Sequence, residues 1–141
     1  MSKYLFGEKS ERVLSECDFA LQNTLRQALA LGIMDFAAIE GYRTDEKQHE
    51  YFIEGKSKVD AGNPAAKHNR KPSEGIDTVP FINGEMSWNK LHCCVLAGII
   101  LAVGAKLGYK IRWGGNWDMD GEPITDQEFQ DLVHFEIYGY K

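Results

Sequence analysis

Two histidines and three acids form the most chemically capable pattern in the chain: His68 with Asp77 in the middle, and Asp131-Leu-Val-His134-Phe-Glu136 near the end. Two neutral imidazoles and one carboxylate can hold a zinc ion and leave a coordination position open. A second carboxylate, Asp131, precedes His134 by one turn's worth of sequence and could accept a proton from water at that position. Were the two segments to meet in space, the result would be a small metallohydrolase. The same residues would also serve as partners in a polar network, and spacing alone does not separate the two readings.

The remaining reactive residue types have plainer readings. His49 falls between charged residues and suits a solvated helix face, and His92, beside Leu91 and Cys93, suits a packed or capping role. Arg43 follows Glu40-Gly41-Tyr42 at a strand end. It is either an exposed charge or a fork gripping a carboxylate or a developing oxyanion, and the exposed reading fits the sequence slightly better. Trp88, Trp113 and Trp117 suit core or rim packing. Asp118-Met-Asp120-Gly121-Glu122 is an oxygen-rich loop that could take calcium. It lacks the full helix–loop–helix pattern, so a solvated acidic turn is the default. Cys17, Cys93 and Cys94 include no Cys-x-x-Cys pair and read as idle thiols of a reducing compartment.

At 141 residues, 43% hydrophobic and 26% charged, the chain reads as one globular domain, residues 1–141, able to bury a core without staples. A net charge of −5 argues against a nucleic-acid groove, which needs a concentrated basic face. The first residues, Met-Ser-Lys-Tyr-Leu-Phe-Gly-Glu-Lys, lack the apolar stretch and cleavage site of a signal peptide. Cys93 to Ala105 is apolar but short for a bilayer and interrupted by Gly98 and Gly104. It reads as the inner part of a buried helix. The expectation is a soluble monomer without stable membrane insertion.

These residues need elements to position them. Apolar residues recur at helical steps from Ser10 to Leu31, with Gly32 as the stop, which predicts one amphipathic helix. Met34 to Glu40 predicts a strand, and Thr44 a cap for a second helix with Asp45 and Glu46 in its first turn. Gly55 to Ser73 is polar and predicts a long surface loop, functional or mobile. A strand from Gly75 broken by Pro80 follows, then a turn at Asn83-Gly84. Ser87 is expected to cap a third helix to about Leu107. Tyr109 to Trp113 and Val133 to Tyr138 complete the strands. Gly114-Gly115 opens a loop in which Thr125-Asp-Gln-Glu128 has the capping-box pattern. Separated helices and short strands indicate an α+β fold.

Several motifs occur together in a fixed order: Gly41-Tyr-Arg43-Thr44, Lys67-His68-Asn69, Ser73-Glu-Gly-Ile-Asp77-Thr-Val-Pro80-Phe81, Ser87-Trp88-Asn89, Arg112-Trp113-Gly114-Gly115 and Asp131-Leu-Val-His134-Phe-Glu136. In this the chain resembles the zinc D-Ala-D-Ala carboxypeptidase and L-alanyl-D-glutamate peptidase family (the VanY-like peptidases), in particular its single-domain bacteriophage endolysins. The resemblance implies helices packed on a small antiparallel sheet that carries the zinc site. It implies His68, Asp77 and His134 as zinc ligands, Asp131 as the acid that activates water, and Arg43 as the group polarising the scissile carbonyl. Glu136 would orient a ligand or bind substrate. In many members the histidine lies nearer the aspartate, and that spacing counted back from Asp77 lands on Arg70, which does not deprotonate and cannot ligate. The longer-loop variant makes His68 the ligand. The implied substrate is the peptidoglycan stem peptide, cut between L-Ala and D-Glu. The enzyme would wait in the host cytoplasm until lysis and then act in the periplasm on the wall. The alternatives are a D-Ala-D-Ala carboxypeptidase or dipeptidase with the same site, a zinc-stabilised binding domain without turnover, or a metal-free interaction protein.

Overall fold

The computed structural model describes residues 3–122 and 131–139. Its strands are β1 (Asp35–Glu40), β2 (Gly75–Ile82), β3 (Glu85–Met86), β4 (Ile111–Gly114) and β5 (Asp131–Ile137). They form one antiparallel sheet in the order β1-β2-β5-β4, with β3 adding a short hairpin arm to β2. The helices are α1 (Glu8–Ser15), α2 (Phe19–Ala30), α3 (Asp45–Ile53) and α4 (Lys90–Leu107). Helix α1 packs on β1, while α2 and α4 pack on each other and on the central strands. This is the expected α+β arrangement of helices on a small antiparallel sheet.

Alternation along the strands separates core from site. In β5, Phe135 and Ile137 enter the core, while His134 and Glu136 line a cleft on the other face. In β4, Ile111 and Trp113 are core residues and Arg112 lines the cleft. Leu14, Leu21, Leu25, Leu96 and Ile100 close the core from the helical side. Each such side chain, fully buried, contributes about 1.5–3 kcal/mol. The hydrophobic face thus fixes the register, and the register fixes which polar residues reach the cleft.

The structure revises several expectations. The single helix from Ser10 to Leu31 is two helices. Asp18 caps α2 by accepting from the Ala20 amide at 2.9 Å. The break is held by β2's approach, because Asp18 N donates to Ser73 O and Ser73 N to Glu16 O. Pro80 does not interrupt β2. Its carbonyl accepts from Ser87 N at 2.8 Å, so the edge without an N–H faces the short β3 arm rather than β1. The third helix, α4, is capped by Asn89, which accepts from Leu91 N, not by Ser87. It ends on left-handed Gly108 (φ 88°). Gly114 is the last residue of β4 rather than the opening of a loop. The 55–73 segment is not all surface: it contains a 3-10 turn, Lys67–Asn69, with His68 buried. The Thr125–Glu128 capping box lies outside the described residues.

Helix α4 has 18 residues and is long and apolar enough to cross a membrane by length and composition, more so than the Cys93–Ala105 stretch suggested. In this fold it lays Cys93, Leu96, Ala97, Ile100 and Gly104 inward. Gly104 permits the close approach: a Cβ there would stand 3.1 Å from Ile111 Cδ1.

Candidate metal centre and active site

The register of the two middle strands brings the distant motifs together. Asp77 of β2 and His134 of β5 are directly opposed, and the 3-10 turn delivers His68 beside them. His68 Nε2 lies 3.1 Å from Asp77 Oδ1 and 3.1 Å from His134 Nδ1, and His134 Nδ1 lies 3.2 Å from Asp77 Oδ1. Among the described residues, no other group of three such side chains gathers ligand atoms this way.

Each ring turns one nitrogen to a fixed acceptor and the other to the cluster centre. His68 Nδ1 is 2.7 Å from the Gly41 carbonyl; a carbonyl can only accept, so Nδ1 carries a proton and Nε2 is the nitrogen left for a metal. His134 Nε2 is 2.8 Å from Glu136 Oε1, which by the same logic leaves Nδ1 as the nitrogen whose proton a metal would displace. Glu136 is in turn gripped by Arg112, Nη2 to Oε2 at 2.6 Å. Gly41 admits no side chain: a Cβ would lie 2.9 Å from Val13 O and 3.0 Å from Cys17 Sγ. The peptide that orients His68 is therefore pressed against the end of α1.

The donor set fits a zinc ion. Tetrahedral ligands about 2.0–2.1 Å from the metal stand roughly 3.3–3.4 Å apart. The observed separations of 3.1–3.2 Å need only slight expansion. Electrostatics agree. Burial opposes ionisation of Asp77, but the His68 charge and the bonds from His134 and His68 outweigh it and hold the carboxyl well below the usual range. Burial likewise opposes a charge on His134, yet Asp77 and Glu136 push its pKa up to about 10. The cluster is built for positive charge. Glu136 is lowered despite burial by His134 and Arg112.

Asp131 reaches the same cavity through an irregularity. In a regular strand it would point away from His134. The β4–β5 ladder shifts between Trp113 and Gly114, so that Trp113 faces Phe135 while Gly114 faces Asp131. A Cβ at position 114 would stand 2.1 Å from Asp131 O, so only glycine permits the shift. Burial and the neighbouring Asp77 charge raise the Asp131 carboxyl, partly offset by His134 and His68. That direction suits a proton acceptor operating near neutrality.

The cavity is about 660 Å³ and is lined by Arg43, His68, Arg112, Trp117, Asp131, His134 and Glu136 among others. Arg43 is buried, at 8% exposure, which overturns the exposed reading of the sequence. Nη2 binds Glu40 at 2.6 Å, Nη1 binds Gln48 at 2.9 Å, and the guanidinium lies 4.4 Å from the Tyr51 ring centroid. Arg43 Nε is buried without a hydrogen-bond partner. Arg70 stays outside the cluster, its side chain 43% exposed beside Glu74.

The other candidates fall elsewhere. His49 is exposed and pairs with Asp60 at 2.8 Å. His92 bonds Ser87 at the start of α4. Trp113 is core, Trp88 is exposed, and the Trp117 ring centroid lies 5.8 Å from that of His134. Asp118 and Asp120 are exposed and accept from the amides of Asp120 and Glu122. Sequence reasoning missed Gln48 and Arg112. The Ile111/Trp113 alternation could have placed Arg112 on the cleft face; nothing marked Gln48.

Three comparisons place the chain among known proteins. A solved crystal structure, the L-Ala D-Glu endopeptidase ChiX of Serratia marcescens, superposes with a TM-score of 0.77 over 96% of this chain and 92% of that one, at 22% identity, which shows a shared fold. The L-alanyl-D-glutamate peptidase of Escherichia phage T5 is 30% identical over 120 residues, spanning 84% of this chain and 85% of that protein. The family model for phage L-alanyl-D-glutamate peptidases matches residues 1–138. Matched over residues 1–138 by that family model and 30% identical to the phage T5 peptidase, the chain belongs to the phage L-alanyl-D-glutamate peptidase family.

Proposed function

We propose that the chain is a zinc-dependent peptidoglycan endopeptidase of endolysin type, a single domain that hydrolyses the L-Ala–D-Glu bond of the stem peptide for host lysis. The observation that carries the metal is the His68–Asp77–His134 triangle, with the outward nitrogen of each imidazole held by an acceptor and the inward one turned to its centre. His68, Asp77 and His134 would hold a zinc ion, which would supply Lewis acidity toward the carbonyl and toward water. Asp131 accepts the proton of the attacking water and passes it to the leaving amine. Arg43, which lines the cleft, offers a positive charge to the tetrahedral oxyanion. Trp117 forms an apolar wall beside His134.

Charge around the cleft supports an acidic peptide substrate. Arg43, Lys56, Lys58, Lys67, Arg70 and Arg112 line it, and five of these also pair with Glu40, Glu54, Glu74 or Glu136. Substrate carboxylates would share these cations with the acids that already hold them. The enzyme is proposed to act as a monomer that neither binds nucleic acid nor inserts stably in membranes, and to reach the wall from the host cytoplasm at lysis. The test pairs metal analysis of the purified protein with mass spectrometry of digested peptidoglycan. One bound zinc per chain and new D-Glu amino ends are expected. Release of terminal D-alanine would instead identify a carboxypeptidase, and zinc without any cleavage a binding domain.

A further inference from the structure

Helix α3 buries a single residue, and that residue is polar: Gln48, at 1% exposure. Its apolar neighbours Phe52 and Ile53 lie outside, at 40% and 69%. An amide removed from water costs free energy unless its hydrogen bonds are remade, and Gln48 remakes them in a particular way. Its Oε1 accepts from Arg43 Nη1 at 2.9 Å, and its Nε2 donates to Val59 O at 2.7 Å and Ser57 Oγ at 2.9 Å. One side chain therefore joins the buried guanidinium to the 57–59 stretch, and Arg43, Gln48, Ser57 and Val59 all line the cleft.

We infer that Gln48 is a positioning residue for the peptidase reaction, a strut that fixes the guanidinium of Arg43 relative to the 57–59 wall of the substrate cleft. The inference rests on the proposed role of Arg43. Without the strut, Arg43 keeps Glu40 and Tyr51 but loses the contact that sets its rotation about the cleft axis. Segment 57–59 loses its side-chain tie to α3 and keeps the backbone bond from Ser57 N to Tyr51 O, 3.1 Å, while the helix cap Thr44 directly follows Arg43. Glutamine suits the task because it accepts on one side and donates on the other. A carboxylate would keep Arg43 but oppose Val59 O, and an apolar isostere would keep neither.

The test is a double-mutant cycle on the zinc-loaded protein, using Arg43→Ala, Gln48→Met and the pair, with Gln48→Glu as the variant that keeps the contact to Arg43 and thermal melts to verify that each variant folds. Gln48→Met is expected to lower kcat by about 10-fold to 10²-fold, as a displaced catalytic group does, with zinc content unchanged. In the Arg43→Ala background the same substitution should lower kcat no further. Gln48→Glu should retain most of kcat and raise KM, because only the wall is released. Additive losses, or parental kcat in Gln48→Met alongside a damaged Arg43→Ala, would overturn the coupling. Equal loss of kcat in Gln48→Glu and Gln48→Met would overturn the strut geometry. Parental kcat in Arg43→Ala would overturn the reading of Arg43 itself, and with it this inference.

Discussion

Glu136→Gln is the substitution whose consequence can be worked furthest from the structure. Glu136 accepts from His134 Nε2 at 2.8 Å and from Arg112 Nη2 at 2.6 Å. Both partners are donors, so a carboxylate satisfies them together and a carboxamide cannot. With two donors competing for one carbonyl oxygen, the amide turns that oxygen to the charged guanidinium, the stronger partner. Its NH2 then points at His134 Nε2, which must become the acceptor. The ring proton moves to Nδ1, the very nitrogen offered to the metal. Loss of such an outer hydrogen bond costs about 10–100-fold in metal affinity, or roughly 1.4–2.7 kcal/mol. Competition against a chromophoric chelator reads this directly, with a thermal melt to verify folding. Replacing Arg112 with Met in the same chain frees the amide to turn its oxygen back, and should recover part of the loss. Parental zinc affinity in Glu136→Gln would refute the assignment of Nδ1 as ligand and of Glu136 as the group that fixes the ring.

Asp131→Asn should retain zinc and lose about 10²–10⁴-fold in kcat, the usual contribution of a general base; near-parental turnover would remove Asp131 from the reaction. His68→Ala should abolish stoichiometric zinc, whereas Arg70→Ala, at the exposed position, should leave it intact, as metal analysis of both would show. The metal-free protein should have a distinctive pH profile. His134 is raised from 6.5 to about 10, so its stabilising contribution is fully present below pH 6.5 and disappears as pH rises towards 10. Asp77 is depressed below 3.8, so the same cluster contributes above that pH and weakens as pH falls through the acid range. Melting temperatures should therefore fall between neutrality and pH 10 without metal, and stay level with zinc bound; identical profiles would contradict a proton and an ion competing for one cluster.

The site was more legible than its scaffold. Imidazoles and carboxylates are sparse and chemically particular, so His68, Asp77, Asp131 and His134 could be picked out by type, and the fixed order of the surrounding motifs supplied their partnership. Alternation in β5 placed His134 and Glu136 on one face, as observed. Arg43 was misread because nothing local reveals that Glu40, Gln48 and Tyr51 converge on it. The helix break escaped notice because the apolar repeat runs through Cys17, although Asp18 ahead of Phe19-Ala-Leu was a readable capping signal. The ladder shift beside Asp131 had no sequence mark beyond Gly114, whose necessity comes from a backbone oxygen contributed by another strand. Such contacts exist only after folding, and local propensity does not encode them.

The pairing of Asp77 with His134 also has a temporal meaning. β5 comes after every other element in the chain and occupies the middle of the sheet, inserting between two partners synthesised earlier. A chain that stops short of β5 contains β1, β2 and helices α1 to α4, yet it has neither His134 nor Asp131. The His68–Asp77–His134 cluster is thus complete only when the final strand takes its place in the sheet.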